Sequence, residues 1–361
     1  MKLLDYLGGI KKYINKGERV LIKPNLLMRK NYEDAVTTHP MVVRCMAELL
    51  INECEASVVI ADSPGGDFTT EVMDAIYDTT GMKEVATQTG AKLNYNFKEK
   101  MANNENGQHL KKIRAAEFIY DVDKIISIPK LKTHSMMTYT GAVKNLFGII
   151  PGIAKAEYHL HMAGYDKFAD ALIDICLLAK PTLTIMDAIV SMDGNGPSAG
   201  NKKNTNTIMA SSDPFVLDKV CCDLIGFPLN SVPTVAQSII RNLCKLNNDD
   251  VEIKGAVDVC LRPFQMPDSI SDVFLKTEQF DDKYVDDNIK AKPTCDHDKC
   301  VKCMVCKQHC PAKAISFVDN QIVIDLSNCI RCYCCQELCP FKAIKIRRSY
   351  LLKALLKDHE W

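Results

Sequence analysis

A cysteine pattern that occurs twice near the end of the chain constrains the fold more than any other feature. The chain has 361 residues and 17 cysteines, and ten of the cysteines lie between Cys295 and Cys339. The spacing C-x2-C-x2-C-x3-C-P runs over 300–311 and again over 329–340. The start of the chain does not predict a secretory signal, so we expect a reducing compartment. In a reducing compartment, so many cysteines close together in the sequence indicate metal binding rather than disulfide bonds.

Each copy of the pattern can hold one iron–sulfur cluster. Three cysteines at this spacing turn their sulfur atoms toward a common centre, and the fourth, which precedes a proline, ligates the other cluster in two-cluster ferredoxins. A structural zinc site instead pairs two closely spaced cysteines with a distant second pair, so we favour two [4Fe–4S] clusters over zinc. The expected ligands are Cys300, Cys303, Cys306 and Cys339 for cluster 1, and Cys329, Cys332, Cys335 and Cys310 for cluster 2.

Residues 295–347 resemble the bacterial two-cluster ferredoxin family, because every ligand position of its motif is filled. The resemblance implies one-electron transfer at low potential. Cys295 and Cys334 are left outside the ligand set. We expect them to pack beside the clusters without ligating iron.

The residues before the cysteines alternate short apolar runs with helical patterns. The spacing predicts a helix over 40–54, and Asp213-Pro214 is typical of the start of another. Near-continuous apolar strands separated by helices predict an α/β fold, with a mostly parallel sheet that helices cover on both faces. The apolar runs of strand length lie at 19–23, 57–61, 124–128, 182–186 and 207–210.

These patterns divide the chain into four parts. We predict an α/β domain over 1–275 and a polar linker over 276–294. A small α+β ferredoxin-like domain with both clusters is expected over 295–347, followed by a basic C-terminal helix over 348–361.

Charged and amide side chains follow the predicted strands, where open parallel sheets bind their ligands. The segment 140–148 could open a helix whose amide groups face an anion. We therefore predict a small anionic ligand, a carboxylate or a phosphate, in a cleft at the strand ends. The expected ligand-binding residues are Lys23, Asn25, Asp62, Lys130 and Asn145, and the candidate catalytic residues are His134, Lys132 and Lys144.

Several of these residues also have a purely structural interpretation. A lysine is often a solvated charge, His134 could be a polar residue of the core, and Asp213 could simply cap its helix. The glycine-containing loops after Asp62 and at Asp193 match neither a dinucleotide fingerprint nor a P-loop. His159 and His161 could share a metal ion in an extended segment, although no third ligand stands at a fixed spacing.

Five short motifs, in the order in which they occur, resemble one family over about the first 265 residues. They are Lys-Pro-Asn at 23–25, Lys-Leu-Lys-Thr-His at 130–134, Gly-Ala-Val-Lys-Asn-Leu-Phe-Gly at 141–148, Asp-Gly-Asn-Gly-Pro at 193–197 and Ser-Ser-Asp at 211–213. The chain resembles the domain-of-unknown-function 362 family, whose members often carry a fused two-cluster ferredoxin domain. Asp193 departs from the glutamate of many relatives but keeps the charge. The resemblance implies the α/β fold and a cytoplasmic iron–sulfur setting, and it supplies no reaction.

The leading hypothesis from the sequence is a ferredoxin-coupled redox enzyme. The clusters would pass single electrons to a ligand or organic cofactor in the cleft, and His134 would donate a proton because the pKa of histidine lies near neutrality. One alternative is an electron carrier or adaptor that docks on a larger oxidoreductase, and another is an iron–sulfur redox sensor. We expect a redox partner protein.

Charge and hydropathy argue against several other classes of protein. The chain has 45 basic and 45 acidic residues, which gives no electrostatic case for a nucleic-acid or membrane-surface binder. Every long apolar stretch is interrupted by charges, so we expect no transmembrane helix and a cytoplasmic location. The sequence has no nicotinamide or flavin fingerprint. Because flavin sites often lack a short motif, a flavin stays a candidate second cofactor.

Overall fold

The structure, a computed structural model, describes residues 2–256, 261–270 and 290–348. The strands in these ranges are β1 (Arg19–Pro24), β2 (Ser57–Ile60), β3 (Lys92–Leu93), β4 (Glu99–Asn103), β5 (Lys112–Ala116), β6 (Lys124–Ile128), β7 (Lys130–His134), β8 (Thr138–Thr140), β9 (Leu183–Asp193), β10 (Asn201–Ser211), β11 (Lys292–Cys295), β12 (Ile315–Val318), β13 (Gln321–Ile324) and β14 (Ile344–Arg347). The α-helices are α1 (Lys2–Asp5), α2 (Pro40–Cys54), α3 (Thr70–Thr79), α4 (Met82–Thr89), α5 (Ala142–Asn145), α6 (Ala154–His161), α7 (Tyr165–Ala179), α8 (Pro214–Ile225), α9 (Pro233–Ile240), α10 (Val305–Gln308) and α11 (Cys334–Glu337).

The central sheet of the described residues has eight strands, in the order β3-β2-β1-β6-β9-β7-β8, with β10 paired to β9. The pairs along this order from β3 to β7 are parallel. Only β8 and β10 run antiparallel to their neighbours in this sheet. The α/β fold with a mostly parallel sheet, which the sequence predicted, is therefore confirmed.

Alternate residues of β1 belong to two different hydrophobic cores. Val20 and Ile22 pack in one core with Val43 of α2, whereas Leu21 packs in the other with Leu172 of α7. Successive side chains of a strand point to opposite faces of the sheet, so helices cover both faces. This burial on both sides explains why the central strands have continuous apolar sequences.

The motif Lys-Leu-Lys-Thr-His forms a strand of its own, β7, although the sequence placed it beyond the end of a strand. Pro129 separates β7 from β6, since proline cannot donate a hydrogen bond to a sheet. All five residues of β7 are buried, and Lys130 pairs in register with Asp187 of β9. Polar residues in this strand are possible because other parts of the chain supply their hydrogen-bond partners.

The two cysteine repeats fold alike in the ferredoxin-like domain. Helices α10 and α11 occupy the same position in the first and second repeat. Lys302 and Met304 have positive φ angles, and so do their counterparts Arg331 and Tyr333. Positive φ is uncommon outside glycine, so the match indicates one loop conformation used twice. The antiparallel pairs β11–β14 and β12–β13 complete this domain.

The second repeat packs directly on the α/β domain. Cys332, Tyr333 and Cys334 belong to the same hydrophobic core as Phe147 and Phe168. Strand β11 begins inside the predicted linker 276–294. Most of that linker, and the predicted helix over 348–361 apart from its first residue, lie outside the described residues, so these boundaries stay predictions. Within the described ranges, no helix has the length and hydrophobicity that crossing a bilayer requires.

Candidate functional site

Two of the predicted lysines form buried ion pairs at the strand ends. Lys23 Nζ lies 2.7 Å from Asp62 Oδ1, and Lys130 Nζ lies 2.9 Å from Asp187 Oδ2. Burial lowers the pKa of both lysines, and the partner carboxylate opposes that shift in each case. A buried charge that loses its partner destabilises the folded state, so both members of each pair are needed for the stability of the fold.

Asn145 and Asp62, two other residues of the predicted ligand site, also form hydrogen bonds within the chain. Asn145 donates to Ser127 Oγ at 2.9 Å and to the carbonyl oxygen of Lys23 at 3.2 Å. The Asp62 carboxylate also accepts the backbone N–H of Leu26 at 2.8 Å. These contacts hold the strand ends together and leave little hydrogen-bonding capacity for a ligand.

The acceptors of Lys132 among the described residues are neutral. Its Nζ donates to Asn25 Oδ1 at 2.7 Å and to the carbonyl oxygen of Val36 at 2.6 Å. Burial lowers the pKa of Lys132 to about 7. The ammonium group can therefore lose or gain a proton near neutral pH, unlike that of an exposed lysine.

His134 is buried, and the backbone fixes its tautomer. Nδ1 accepts the backbone N–H groups of Met136 at 3.0 Å and Met137 at 3.2 Å, which leaves the proton on Nε2. Nε2 lies 3.4 Å from Glu337 Oε2 in the ferredoxin-like domain. Burial, reinforced by Lys144, lowers the pKa of His134 to about 4. The near-neutral pKa on which the sequence based a proton-donor role is therefore wrong, and the ring is neutral at pH 7.

The predicted anion site at the amides of segment 140–148 is also wrong. Asp218 of α8 accepts the backbone N–H groups of Ala142 at 2.6 Å and Val143 at 2.9 Å. The same carboxylate accepts the Tyr139 hydroxyl at 2.9 Å. The Asp218 carboxylate thus binds the amide groups at which the sequence analysis predicted an anionic ligand.

A cleft lies where the α/β domain meets the ferredoxin-like domain, mainly its second cysteine repeat, and it has a cavity volume of about 80 Å³. A smaller recess, lined by Lys130 and Lys132, shares Asn25, Lys144 and Asn145 with it. We call the larger space the interdomain cleft. Its polar and ferredoxin-side lining consists of Asn25, Asp62, Ser63, Lys144, Asn145, Lys155, His159, His309, Cys334 and Glu337.

Two lysines flank one aromatic ring in this cleft. Lys144 Nζ lies 5.8 Å and Lys155 Nζ 5.7 Å from the centre of the Phe147 ring. Lys144 is half-buried, and its Nζ has no hydrogen-bond acceptor in the part of the chain that the structure describes. Lys155 donates to Ser63 Oγ at 3.3 Å and to the carbonyl oxygens of Pro64 and Ile150.

Burial changes the pKa of both lysines in the cleft. It lowers the pKa of Lys155 to about 7, and it lowers that of Lys144 against the attraction of Glu337. Burial alone would raise the pKa of Glu337, but His134 and Lys144 outweigh it and hold that pKa well below its usual range. Glu337 therefore stays ionised and faces both of them.

His159 and His161 cannot share a metal ion as the sequence suggested. They lie on helix α6 rather than in an extended segment, so side chains two residues apart point to different faces. His159 is buried and stacks on Phe168 at 4.3 Å, whereas His161 is exposed. His159 Nδ1 has no hydrogen-bond partner within the described residues. It is a neutral member of the cleft lining, since burial lowers its pKa to about 3.

Sequence reasoning missed Lys155 and Glu337. The turn at Pro151-Gly152, just after the 140–148 motif, was the only local signal that another element returns to the site before Lys155. Glu337 stands inside the second cysteine repeat, where its neighbours drew attention to iron rather than to the cleft. Neither residue can be placed without knowing how the two domains pack.

The assignment of the cysteines to two clusters stays a prediction, since no group of three or more potential ligands in the described ranges is arranged to hold a metal ion. Burial raises the pKa of the Cys306 thiol to about 11, and Cys339, Cys303 and Cys300 of the first set contribute to that shift. Burial likewise raises the pKa of the Cys335 thiol, with contributions from Cys332, Cys329 and Cys310 of the second set and from Cys306 of the first. The four cysteines of the first set also line one apolar cavity, together with Val301, Ile322 and Phe341.

The fourth cysteine of each repeat has the same backbone contact. The N–H of Ala314 donates to Cys310 Sγ at 3.3 Å, and the N–H of Ala343 donates to Cys339 Sγ at 3.2 Å. Such donors favour the thiolate form that ligates iron. Cysteine thiolates are the donors that iron–sulfur clusters take. Cys295 lies beside Cys300, and Cys334 faces the interdomain cleft.

Comparisons with known proteins agree with the two-part organisation. The profile of the family described as Domain of unknown function (DUF362) matches residues 20–223, and that of a 4Fe-4S dicluster domain matches residues 292–340. The thylakoid-associated protein sll1697 of Synechocystis sp. is 32% identical over 241 residues, which are 65% of this chain and 71% of that protein.

Two solved structures share a more distant similarity. The lactate racemase apoprotein of Thermoanaerobacterium thermosaccharolyticum is 11% identical, with a TM-score of 0.40 over 60% of this chain and 53% of that one. A protein of Thermotoga maritima is 13% identical, with a TM-score of 0.38 over 62% of this chain and 58% of that one. The chain thus spans little more than half of either structure. Since the first family profile alone covers more than half of the sequence, the chain belongs to the domain-of-unknown-function 362 family and carries a 4Fe–4S dicluster domain in its C-terminal part.

Proposed function

We propose that the protein passes single electrons from two [4Fe–4S] clusters to a small anionic ligand in the interdomain cleft. The observation that carries the proposal is the position of the cleft. One wall contains Lys144 and Lys155, and the other contains Cys334 and Glu337 of the second cysteine repeat. A ligand between these walls would lie next to cluster 2, whose proposed ligands are Cys329, Cys332, Cys335 and Cys310.

The charge of the cleft supports an anionic ligand. Asp62 is neutralised by Lys23, and Glu337 is the other carboxylate in the lining. Lys144 and Lys155 exceed it by one positive charge, and Lys132 lies in the adjoining recess. Electrostatic attraction is stronger where water is largely excluded, so a carboxylate or phosphate would be favoured here. No described feature favours a flavin over another anion.

In this proposal, one residue binds the anion and another exchanges the proton. Bound clusters would supply electrons one at a time at low potential. Lys144 would hold the anion, because its Nζ lacks an acceptor of its own in the described ranges. Lys155 would hold or release a proton at Nζ, because a pKa of about 7 suits proton exchange at neutral pH. His134 would be a neutral neighbour of Glu337, since its Nε2 lies 3.4 Å from Glu337 Oε2 without forming a hydrogen bond within the described residues.

If the protein is instead an electron carrier or an adaptor, no reaction takes place in the interdomain cleft. This alternative needs only the ferredoxin-like domain, and Lys144 and Lys155 would then serve as contacts between the two domains.

We also propose the cytoplasm as the location of the protein. Fractionation of cells that express the tagged full chain tests this against attachment to a membrane.

Isothermal titration with inorganic phosphate and with succinate tests the ligand site. We expect the double variant Lys144→Ala/Lys155→Ala to bind the better of the two probes at least about tenfold more weakly, since each charged hydrogen bond contributes about 1.5–3 kcal/mol. The matched control is Lys98→Ala/Lys112→Ala, which removes two exposed lysines of the α/β domain. Equal affinity in the cleft variant and the control would overturn the proposed site.

A further inference from the structure

The two cysteine repeats have the same sequence pattern but opposite surroundings. In the second repeat, Arg331 and Cys332 are buried against the α/β domain. In the first repeat, their counterparts Lys302 and Cys303 are exposed to solvent. A cluster held by the second repeat would therefore lie toward the interdomain cleft, and one held by the first repeat would lie toward the outside of the molecule. An electron that enters from a soluble protein would reach cluster 1 first.

The surface over cluster 1 is apolar at its centre. Val301 is 55% exposed and Phe341 is 48% exposed, and both line the cavity that the four cysteines of cluster 1 share. Contiguous exposed apolar side chains of this size are typical of interaction sites. Their position directly over a cluster suits a contact through which electrons pass.

The rim of this surface is basic. Lys302 follows Val301 and Lys342 follows Phe341, while Lys299 stands two residues before Val301, next to Asp298. All three lysines are exposed, and so is Asp298. Within the described residues none of the three forms an ion pair, whereas the nearby Asp296 is paired with Lys345 at 2.7 Å. Unpaired positive charges around an apolar centre are complementary to a negatively charged protein surface.

We propose that this face, formed by Val301, Phe341, Lys299, Lys302 and Lys342, docks an acidic one-electron carrier protein. One electron leaves the reduced carrier, which becomes oxidised, and cluster 1 is reduced by the same electron. No bond and no proton change is involved in this step. If Cys329, Cys332, Cys335 and Cys310 hold a second cluster, onward transfer to it would return the first to its oxidised state and bring the electron to the side of the cleft. The inference needs only the ferredoxin-like domain and is independent of the ligand in the cleft.

The test uses the full chain with both clusters reconstituted and a purified, strongly acidic two-cluster ferredoxin as the probe. Titration calorimetry at low and at moderate salt measures binding, and stopped-flow absorbance measures the rate at which the reduced probe reduces the protein. We expect Lys302→Glu/Lys342→Glu to weaken binding at least about tenfold and to remove its salt dependence, because opposite charges are replaced by like charges. The matched control, Lys98→Glu/Lys112→Glu, changes the same charge on the α/β domain and should bind like the parent chain.

Iron content and visible absorbance show whether each variant keeps its clusters. If the charge-reversed variant loses them, the neutral Lys302→Gln/Lys342→Gln variant takes its place and should weaken binding by a smaller factor. Equal affinity of variant and control would overturn the proposal. So would tighter binding of the basic protein cytochrome c than of the acidic probe, or self-association that depends on the same lysines. Lys144→Ala should leave docking unchanged, so failure of this surface and failure of the cleft are distinguishable.

Discussion

At the scale of single residues, what matters is which acceptor each buried lysine has. Lys23 and Lys130 have carboxylates within 3 Å, at Asp62 and Asp187, and are fixed in the fold. Within the described ranges, Lys155 donates to a hydroxyl and to carbonyl groups and has no carboxylate partner, so its charge is easily lost. The sequence placed Lys23 and Lys130 near the site. It could not show which lysine is neutralised, because the partners come from distant strands.

Lys155 gives the site a pH dependence that can be measured. A lysine binds an anion in its protonated form, which predominates below its pKa of about 7. We therefore expect succinate to bind more weakly as the pH rises from about 6.5 to about 8.5, a range in which the probe itself stays a dianion. Binding near pH 7 should also take up protons, which titration in two buffers of different ionisation enthalpy detects. A Lys155→Met variant should show smaller effects of both kinds, because Lys132 in the adjoining recess also has a pKa of about 7. A pH profile identical to that of the parent chain would contradict the assignment.

His134 shows why the pKa of a buried residue cannot be predicted from the local sequence. Its place at the site follows from the Lys-Leu-Lys-Thr-His motif, and the structure does put it against the ferredoxin-like domain. Its protonation state depends on the loss of water around the ring and on Lys144, and neither is written in the local sequence. The same reasoning applies to His159, which looked like a metal ligand only while its segment was taken to be extended.

At the scale of elements, the least predictable features are those that depend on a partner far along the chain. Strand β7 contains polar residues at three alternate positions, Lys130, Lys132 and His134, which lie next to Asp187, Asn25 and Glu337 respectively. The start of α5 looked like an anion site from its glycine and its open amides. Asp218, 76 residues beyond Ala142, occupies those amides instead.

Asp218 should be one of the larger single contributions to the stability of the α/β domain. Asp218→Ala removes the acceptor of two backbone N–H groups and of the Tyr139 hydroxyl, all buried. We expect the free energy of unfolding to fall by about 2–4 kcal/mol, because each buried donor left without a partner costs about 1–3 kcal/mol. Chemical denaturation measures the loss. Asp218→Asn keeps one acceptor oxygen and should lose less, and a larger loss for asparagine than for alanine would contradict this account.

At the scale of the whole molecule, the packing of the two domains creates the cleft. Gln336 Nε2 donates to the carbonyl oxygen of Asn195 at 2.7 Å, and Ser198 Oγ donates to that of Glu337 at the same distance. Lys30 Nζ reaches the carbonyl oxygen of Pro340 at 2.9 Å. The sequence predicted both domains, from cysteine spacing and from strand periodicity. It could not predict how they dock, since these contacts join single polar residues that lie far apart in the sequence.

Gln336 offers a test of the docking, because the repeat supplies a matched control. Gln336 follows Cys335 and is buried between the domains, whereas its counterpart Lys307 follows Cys306 and is exposed. We expect Gln336→Ala to loosen the second repeat and to speed the loss of iron from cluster 2 to a chelator by about tenfold, since one buried hydrogen bond contributes about 1 kcal/mol or more. Lys307→Ala should have no such effect. Equal rates in the two variants would show that this contact does not hold the domains together.

The central claim is that two clusters serve an anionic ligand in the interdomain cleft, and an inventory of the anaerobically purified protein tests it most directly. Iron, acid-labile sulfide and other metals are counted, and any released small molecule is identified by mass spectrometry. The account predicts about eight iron atoms per chain, as two cubane clusters require. It also predicts a stoichiometric anionic molecule that is absent from Lys144→Ala/Lys155→Ala and present in Lys98→Ala/Lys112→Ala. Zinc in place of iron, or a molecule that stays bound in the cleft variant, would contradict it.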